Sequence, residues 1–345
     1  MMTRFGVGIV GAGSVTQAIH LPILVTLHEQ FVVRHIMDID EPLARAIAAR
    51  VGARASTDIA AVLDDAAVDV VAICSPPEFH AEQAIAACRA GKRVVFCEKP
   101  LVTSVADAHR LASEFRQARV PLIVGTMHAF DPACLAALEE WTRLGDTARH
   151  ARSLICLPPN HDMISLATDL AAGPSRAQPA ADLSSRRAQA ERMHAVVMGL
   201  AIHATPLVRR LVGDELRVTF ACLVPPFGYV IALAHGSTSA QLTGFMPGAW
   251  QPAWTLHAWG RDAELQVEFP PSYVLAGSAT ARLIADTSTR AWRYPRNGYE
   301  AEWRYVAEVA AGAAAPLASL EDAVADTLFA LDVASQASQL IRDEA

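Results

Sequence analysis

A buried strand that ends in two adjacent charges is the feature of this sequence with the clearest chemistry. Residues 94–97 (VVFC) are apolar, and Glu98, Lys99 and Pro100 follow them directly. An ammonium held beside a reacting hydroxyl can donate a proton to the oxygen, and with a lowered pKa it can also accept one. A surface ion pair at a strand end is the plain alternative. The elements described next favour a proton-transfer role for Lys99.

A glycine turn near the N-terminus suits a dinucleotide. Gly11 and Gly13 follow a strand-like run and precede a helix, while Thr16 stands at the third glycine position of G-x-G-x-x-G. Glycines there let the backbone approach a pyrophosphate that sits on the helix N-terminus. We therefore assign Gly11 and Gly13, with Ser14 and Val15 of the same turn, to cofactor binding.

An acid, Asp38, ends the second strand-like run. A carboxylate at this place accepts hydrogen bonds from the adenosine ribose diol and repels a 2′-phosphate. No arginine follows it directly, so we expect NAD in preference to NADP. The alternative is that Asp38 only caps the turn beside Asp40.

Alternating apolar runs and helical segments in the first third predict an α/β fold with a doubly wound, parallel Rossmann sheet. The runs are nearly continuous and rich in Val and Ile, as in strands buried on both faces. Ligands of such sheets bind beyond the carboxyl ends of the strands, so Glu98 and Lys99 should border the nicotinamide together with Ser75, Pro76 and His80. The predicted strands are 5–11, 31–38, 68–75, 93–98 and 121–126, and the predicted helices are 41–52, 78–92 and 104–119.

The pattern changes after residue 126, which divides the chain into a dinucleotide-binding domain at 1–126 and a substrate-binding and oligomerisation domain at 127–345. After a helix at 131–145, several runs alternate polar and apolar residues, which predicts an α+β domain with a mainly antiparallel, open sheet. We expect a homodimer or homotetramer formed through this sheet. Exposure on its open face and packing in the core explain Trp250, Trp254 and Trp259 equally well. The predicted strands are 151–158, 216–224, 229–236, 239–247, 254–260 and 263–269.

Composition excludes several other functions. The 345 residues carry a net charge of −7, so a basic face for nucleic acid is not indicated. Apolar runs stay short of the roughly 20 residues of a membrane helix, and the N-terminal sequence lacks the pattern of a signal peptide. The six cysteines form neither C-x-x-C nor a zinc-like cluster. We expect a cytoplasmic protein with reduced cysteines, without a metal site, a membrane or a nucleic-acid partner.

Three stretches together resemble the glucose–fructose oxidoreductase, inositol dehydrogenase and MocA (Gfo/Idh/MocA) family of NAD(P)-dependent oxidoreductases. They are GIVGAGSV, CSPPEFHAEQAIAACRAGKRVVFCEKPL and VGTMHAFDP. The likeness is close over the first 132 residues and looser beyond. It implies that Lys99 is the catalytic lysine, that Glu98 contacts the cofactor ribose and that the Lys99–Pro100 bond is cis. It also implies a sugar, polyol or sugar derivative as substrate.

The segment 193–213, which we predict as one helix, departs from the family pattern. Relatives place D-x-x-x-H near here; in this chain the histidine falls on His203 and the acid position on Gly199, which cannot ionise. The resemblance places His203 at the substrate site, where an imidazole can exchange a proton. Without the resemblance, a lone histidine on an apolar helix is more often a core residue. His128, after the last Rossmann strand, is a further substrate-binding candidate.

Three other polar segments have ordinary explanations. NHD at 160–162 is positioned to replace the missing acid, but Pro, Asn and Asp all favour a turn, which we prefer. Arg186, Arg187 and Arg192 are better explained as a solvated helix face than as a phosphate site. The stretch 171–187 is the most loop-like in the chain.

The sequence therefore predicts an NAD-dependent dehydrogenase in which Lys99, with His203, handles the proton while a hydride moves between nicotinamide and a ring or polyol carbon. Two alternatives stay open. Gly199 in place of the acid is compatible with a non-catalytic protein that senses NAD or binds a partner on the same fold. Reduction of an imine or an enone depends less on the relay, so it is also compatible with this change.

Overall fold

The computed structural model describes residues 4–171, 183–246, 252–313 and 319–343; Trp250 and most of the stretch 171–187 lie outside these ranges. Packing divides the chain into two units. The first unit is Met1–Thr126, Ile164–Arg176 and Tyr299–Thr327, and the second is Met127–Met163, Ala177–Gly298 and Leu328–Ala345. The first unit thus also includes two segments that follow residue 126.

Six parallel strands form the sheet of the first unit, in the order β3-β2-β1-β4-β5-β6. The parallel sheet was predicted with five strands, and the short strand β3 was not among them. They are β1 (Phe5–Val10), β2 (Phe31–Met37), β3 (Arg54–Ser56), β4 (Val70–Ile73), β5 (Val94–Glu98) and β6 (Leu122–Gly125). All residues of β1 and β4 are buried, which explains their continuous apolar sequence. The strand order changes direction between β1 and β4, and doubly wound sheets bind their ligands beyond the carboxyl ends of the strands at that place.

Short helices connect these strands. A π-helical turn at Thr16–His20 leads into α1 (Leu21–Thr26), and a 3₁₀ turn at Pro77–Phe79 leads into α4. Ser104, the N-cap of α5, accepts the Asp107 N–H, and this cap fixes where the helix begins. The helices are α2 (Glu41–Val51), α3 (Ile59–Leu63), α4 (His80–Arg89) and α5 (Val105–Ala118), with most of α10 (Gly298–Ala310) added from the second half of the chain.

Eight strands form the sheet of the second unit, in the order β14-β13-β12-β11-β7-β10-β9-β8. They are β7 (His150–Cys156), β8 (Arg217–Leu223), β9 (Gly228–His235), β10 (Thr238–Phe245), β11 (Ala253–Trp259), β12 (Ala263–Glu268), β13 (Thr280–Ala285) and β14 (Ser288–Trp292). All pairs are antiparallel except β7 with β10, so the predicted mainly antiparallel sheet is confirmed. Buried and half-exposed residues alternate along β11; Trp254 is in the core and Trp259 is on the more open face.

The helices of the second unit correct two predictions. The predicted helix 193–213 is broken: a 3₁₀ turn at Ala201–His203 separates α8 from α9, and the chain bends by 70° there. The predicted turn at 160–162 is wrong, because helix α7 begins at Asn160. The helices wholly in this unit are α6 (Pro132–Arg143), α8 (Arg186–Gly199) and α9 (Thr205–Val212), while α7 (Asn160–Ala167) and α11 (Leu320–Asp343) each have residues in both units.

Arg187 lies on a solvated face of α8, as predicted. Arg187 pairs with Glu191 one turn later at 2.8 Å, and both side chains are exposed. Among the described residues, no single helix has the length and apolar content needed to cross a membrane; by those two criteria only the bent pair Arg186–His203 and Thr205–Val212 qualifies.

Candidate active site

The glycine turn after β1 lets two strand ends approach closely. Gly11 has a φ of +100°, and a Cβ on it would lie 2.7 Å from the backbone carbon of Cys74, just after β4. Only glycine suits this position. The buried Thr16 hydroxyl donates to Gly11 O at 2.6 Å, so threonine closes the turn where the motif has its third glycine. A Cβ on Gly13 would meet nothing within 4 Å, which leaves open space beside this backbone.

Asp38 lies directly after β2 and holds the glycine turn. Its Oδ2 accepts the Ala12 N–H at 2.7 Å, and its Oδ1 accepts the Asp40 N–H at 3.0 Å. Asp38 thus stabilises the turn, which was the alternative to cofactor binding. Each carboxylate oxygen accepts more than one bond, so capacity for a ribose hydroxyl remains. The neighbouring Ile39 side chain is 82% exposed.

These residues fit a dinucleotide. The exposed backbone of Gly13 and Ser14 begins the helical segment, where amide groups favour a pyrophosphate. The Asp38 carboxylate lies at the end of the adjacent strand, where an adenosine ribose binds in such sheets. Within the described ranges, no group of three or more His, Cys, Asp or Glu side chains is arranged to hold a metal ion.

Glu98 and Lys99 lie at the carboxyl end of β5. Gly125 of β6 pairs with Glu98, and a Cβ on it would lie 3.1 Å from the carboxylate; glycine therefore makes room for this acid. The Lys99 backbone N–H donates to Glu98 Oε2 at 3.0 Å, and the Lys99–Pro100 bond is cis, as the resemblance implied. Burial lowers the pKa of Lys99 against the opposing effect of Glu98. This amine is therefore better able to accept a proton than an exposed lysine.

The choice of lysine at position 99 is itself informative. The chain has 29 Lys and Arg residues, of which only Lys92 and Lys99 are lysines. Lys92 is structural: its Nζ donates to Asp65 O at 2.9 Å and to Val68 O at 3.0 Å. Arginine stays protonated in proteins, whereas a buried lysine can titrate. Position 99 thus carries the type of cation that can exchange a proton.

Sequence reasoning missed a buried chain of side chains behind Glu98. Trp303 Nε1 donates to His20 Nδ1 at 3.0 Å, and His20 Nε2 lies 2.9 Å from Glu98 Oε1. The Trp303 ring stacks on Phe96 with centroids 5.0 Å apart. Burial opposes the charge on Glu98, but His20 and Lys99 together outweigh it, so the pKa of Glu98 is lowered. No spacing in the sequence connects positions 20, 98 and 303.

A second carboxyl group, that of Glu302, is fully buried near the hydrogen-bonded side chains of Trp303, His20 and Glu98. Neither of its oxygens has a hydrogen-bond partner among the described residues. The nearby Thr126 N–H donates to Val124 O instead, at 2.7 Å. Burial and the charge of Glu98 raise the pKa of Glu302 well above its usual value. The neutral acid is therefore the favoured form of Glu302.

Of the predicted cofactor residues after β4, His80 has backbone partners and Ser75 has a side-chain partner. His80 is buried; its Nδ1 lies 2.8 Å from Pro100 O and its Nε2 lies 2.8 Å from Ser75 O. The ring therefore joins the segment after β4 to the segment after β5. The Ser75 hydroxyl donates to Gln83 Oε1 at 2.5 Å, and Pro76 is exposed. His80 thus positions backbone at this edge of the sheet.

His128 and His203 lie together in an aromatic cluster of the second unit. His128 stacks on Phe269 with centroids 4.0 Å apart, and Trp254 lies edge-on to both histidines at 4.3 and 5.1 Å. The two imidazole centroids are 6.1 Å apart. Burial lowers the pKa of His128 to about 3, so its ring is neutral at pH 7. The structure thus brings together the two histidines proposed for the substrate.

The structure leaves little room for a side chain at Gly199, where the acid was expected. Gly199 is the last residue of α8, and a Cβ on it would lie 3.1 Å from Phe227 Cζ. His203 ends the 3₁₀ turn after the helix, so residues 199 and 203 are not one turn apart on a continuous helix. Phe227 therefore occupies space that a side chain at position 199 would need.

The fold and this site define an NAD(P)-binding Rossmann domain joined to a second α+β unit. Residues 5–126 match the sequence profile described as "Oxidoreductase family, NAD-binding Rossmann fold", GFO_IDH_MocA. The match covers the dinucleotide-binding part of the chain, which is similar to the Gfo/Idh/MocA oxidoreductases.

Individual proteins show the same relationship. The chain is 38% identical to inositol 2-dehydrogenase 2 of Saccharopolyspora erythraea over 151 residues, which is 43% of each chain. Less than half of that relative's length is therefore matched. The structure resembles KijD10, a 3-ketoreductase of Actinomadura kijaniata solved with NADP and TDP-benzene, with a TM-score of 0.70, 19% identity and coverage of 94% and 95% of the two chains. It also resembles GenD2 from gentamicin A biosynthesis, solved with NAD, with a TM-score of 0.72, 21% identity and coverage of 98% and 95%. At these identities the two structures establish the fold.

Proposed function

We propose that the chain is an NAD(P)-dependent dehydrogenase that transfers a hydride between nicotinamide and a hydroxyl or keto carbon of a sugar, polyol or sugar derivative. The observation that carries the proposal is Lys99, a half-buried lysine with a lowered pKa at the carboxyl end of β5. When bound, the nicotinamide supplies the hydride acceptor or donor. Lys99 Nζ takes or returns the hydroxyl proton. The inositol dehydrogenase among the relatives supports a polyol-like substrate.

The proposed cofactor contacts follow from the first unit. The turn Gly11, Gly13, Ser14 and Val15 takes the pyrophosphate through its backbone. Asp38 takes the adenosine ribose and disfavours a 2′-phosphate, so we propose NAD as the preferred cofactor. The similar structures contain NADP in one case and NAD in the other, so their cofactors do not decide the preference of this chain.

The proposed substrate contacts of the second unit are His128 and His203. His128 Nδ1 is buried without a hydrogen-bond partner among the described residues. A buried polar atom in this state costs free energy unless a ligand supplies the partner. A substrate hydroxyl is suited to that role, because it can donate or accept.

The test is turnover by wild type and Lys99→Met, measured as NADH or NADPH appearance with polyols, sugars, sugar phosphates and nucleotide sugars. Lys99→Met keeps the length of the side chain and removes the titrating group. We expect it to lose at least about 100-fold in kcat and to bind NAD within about threefold of wild type. Arg187→Met, which removes an exposed cation from α8, serves as the control. Wild-type turnover in Lys99→Met would refute the role of Lys99. Tight NAD binding without turnover of any substrate would favour the non-catalytic alternative.

A second candidate activity is reduction of an imine or an enone. Phe227 beside Gly199 is the observation that favours it, because an apolar ring lies next to the position for which the family resemblance implied an acid. Such substrates need the hydride more than a second proton-transfer group. NADH consumption with cyclic imines and enones, compared with keto sugars, distinguishes the two activities.

We also propose that the chain pairs with copies of itself through the more open face of the second sheet. On β11 this face carries Thr255, His257 and Trp259, which are all half-exposed. Light scattering after gel filtration tests the proposal, and Trp259→Glu should shift the mass towards the monomer. A monomeric wild-type protein would refute it.

A further inference from the structure

Trp303, His20 and Glu98 form a continuous hydrogen-bonded chain from α10 to the carboxyl end of β5. The Nε1–Nδ1 distance is 3.0 Å and the Nε2–Oε1 distance is 2.9 Å. Both rings are fully buried, and Phe96 packs against each of them. Without water to exchange partners, the donors and acceptors of such a chain must match, because an unmatched buried group is costly.

The first of these bonds determines which atom of His20 carries a proton. An indole N–H can only donate, so Nδ1 of His20 must accept and carries no proton. The proton of the imidazole is then on Nε2, which donates to the Glu98 carboxylate. His20 is therefore neutral, in its Nε2–H tautomer, and Glu98 retains its negative charge.

We propose that Trp303 is a positioning residue that holds His20 in its neutral Nε2–H tautomer and thereby fixes the Glu98 carboxylate beside Lys99. Glu98 Oε1 takes the His20 donor, and Oε2 takes the Lys99 backbone N–H at 3.0 Å. With both oxygens held, the carboxylate cannot rotate. The effect on catalysis rests on the proposed function, whereas the tautomer does not depend on it.

The charges around His20 explain why this positioning is needed. Three groups face the imidazole: Glu98, Cys74 and the neutral acid Glu302. Lys99 acts on Glu98, and through Glu98 on His20. Burial lowers the pKa of His20, whereas Cys74 and Glu98 raise it; these two groups favour a second proton, which the contact of the indole N–H with Nδ1 opposes. Trp303 opposes that proton, because an N–H on Nδ1 would point at the indole N–H. Without Trp303, His20 would gain a charge at mildly acidic pH and place a second cation near Lys99.

Nitrogen NMR of the histidine side chains tests the tautomer without any substrate. In wild type we expect an unprotonated Nδ1 and a protonated Nε2 at His20 from pH 6 to 8, assigned with His20→Gln. In Trp303→Phe we expect His20 to take up a second proton, on Nδ1, as the pH falls below about 7. Phe96→Leu disturbs the packing against the Trp303 ring but keeps the Trp303 N–H donor. The protonation of His20 in this variant should therefore match wild type. A protonated Nδ1 in wild type would overturn the proposal, and this result is decisive even if a variant fails to fold.

The pH profile of turnover separates positioning from packing. In Trp303→Phe we expect kcat/KM to fall about tenfold at pH 6 and to return within about threefold of wild type at pH 9, as one added ionisation requires. Trp141→Phe removes another buried tryptophan, from the second unit, and should leave the profile unchanged. An equal loss at every pH would overturn the positioning role. Absence of turnover in all proteins would refute the proposed function, while the NMR result would still decide the tautomer.

Discussion

The ring of Phe227 stands 3.1 Å from the point where a Cβ on Gly199 would lie. This separation is shorter than the ordinary contact distance between side-chain carbons. An acid at position 199 therefore requires Phe227 to move. A side chain at position 199 and the ring of Phe227 therefore compete for the same space.

The first prediction follows from this pair. Gly199→Asp alone should not raise dehydrogenase turnover, because Phe227 displaces the new carboxylate. Gly199→Asp with Phe227→Ala should raise kcat for alcohol oxidation at least about fivefold over Phe227→Ala alone, within the range expected for an added proton-transfer group. Steady-state kinetics of the three variants and wild type provide the measurement. A gain from Gly199→Asp alone would show that Phe227 does not exclude the acid.

The second prediction concerns the pKa of Lys99, which can be measured with little overlap from other lysine signals. Only Lys92 and Lys99 would be labelled by reductive ¹³C-methylation, apart from the N-terminus. We expect the Lys99 methyl signal to titrate below the ordinary lysine pKa, because burial disfavours its charge. Lys92→Arg assigns the two signals.

Glu98→Gln is a control for which the direction of the change in the Lys99 pKa can be predicted. Glu98 raises the pKa of Lys99 against burial, so removing its charge should lower the titration midpoint further. Alcohol oxidation requires the neutral amine, and its pH profile should move to lower pH with the midpoint. An unchanged Lys99 signal in Glu98→Gln would show that the carboxylate does not set this pKa.

The sequence predicted the parts of the site that depend on local pattern. Gly11, Asp38 and Lys99 each follow a strand, and parallel strands bring their carboxyl ends to one edge of the sheet. His20 and Trp303 escaped prediction because they are 283 residues apart and belong to helices whose local sequence looks like ordinary core. The break before His203 was also missed, since Thr205–Pro206 was treated as part of a helix although Pro at the start of α9 marks a boundary.

The third prediction concerns cofactor choice. Wild type should prefer NAD over NADP in kcat/KM at least about tenfold, because Asp38 repels a 2′-phosphate. Asp38→Ser with Ile39→Arg should reverse the preference, since the exposed side chain at position 39 would then place a cation beside that phosphate. Asp38 also accepts the Ala12 N–H, and serine retains an acceptor for it. Ile39→Arg alone is the control; reversal by it would show that Asp38 is not the discriminating group.

The last prediction is an acid-side loss of stability from His128. Its pKa is about 3 in the folded protein and about 6.5 in the unfolded chain. As the pH falls from 6.5 towards 3, only the unfolded chain binds this proton, so the free energy of unfolding decreases by about 1.4 kcal/mol per pH unit. His128→Phe, which retains the aromatic packing, should lack this term and exceed wild type in stability by roughly 3 kcal/mol more at pH 4 than at pH 6.5. Urea unfolding at these pH values provides the measurement, with the exposed His161→Gln as control. A difference between wild type and His128→Phe that does not change with pH would show that His128 takes up a proton in the folded protein.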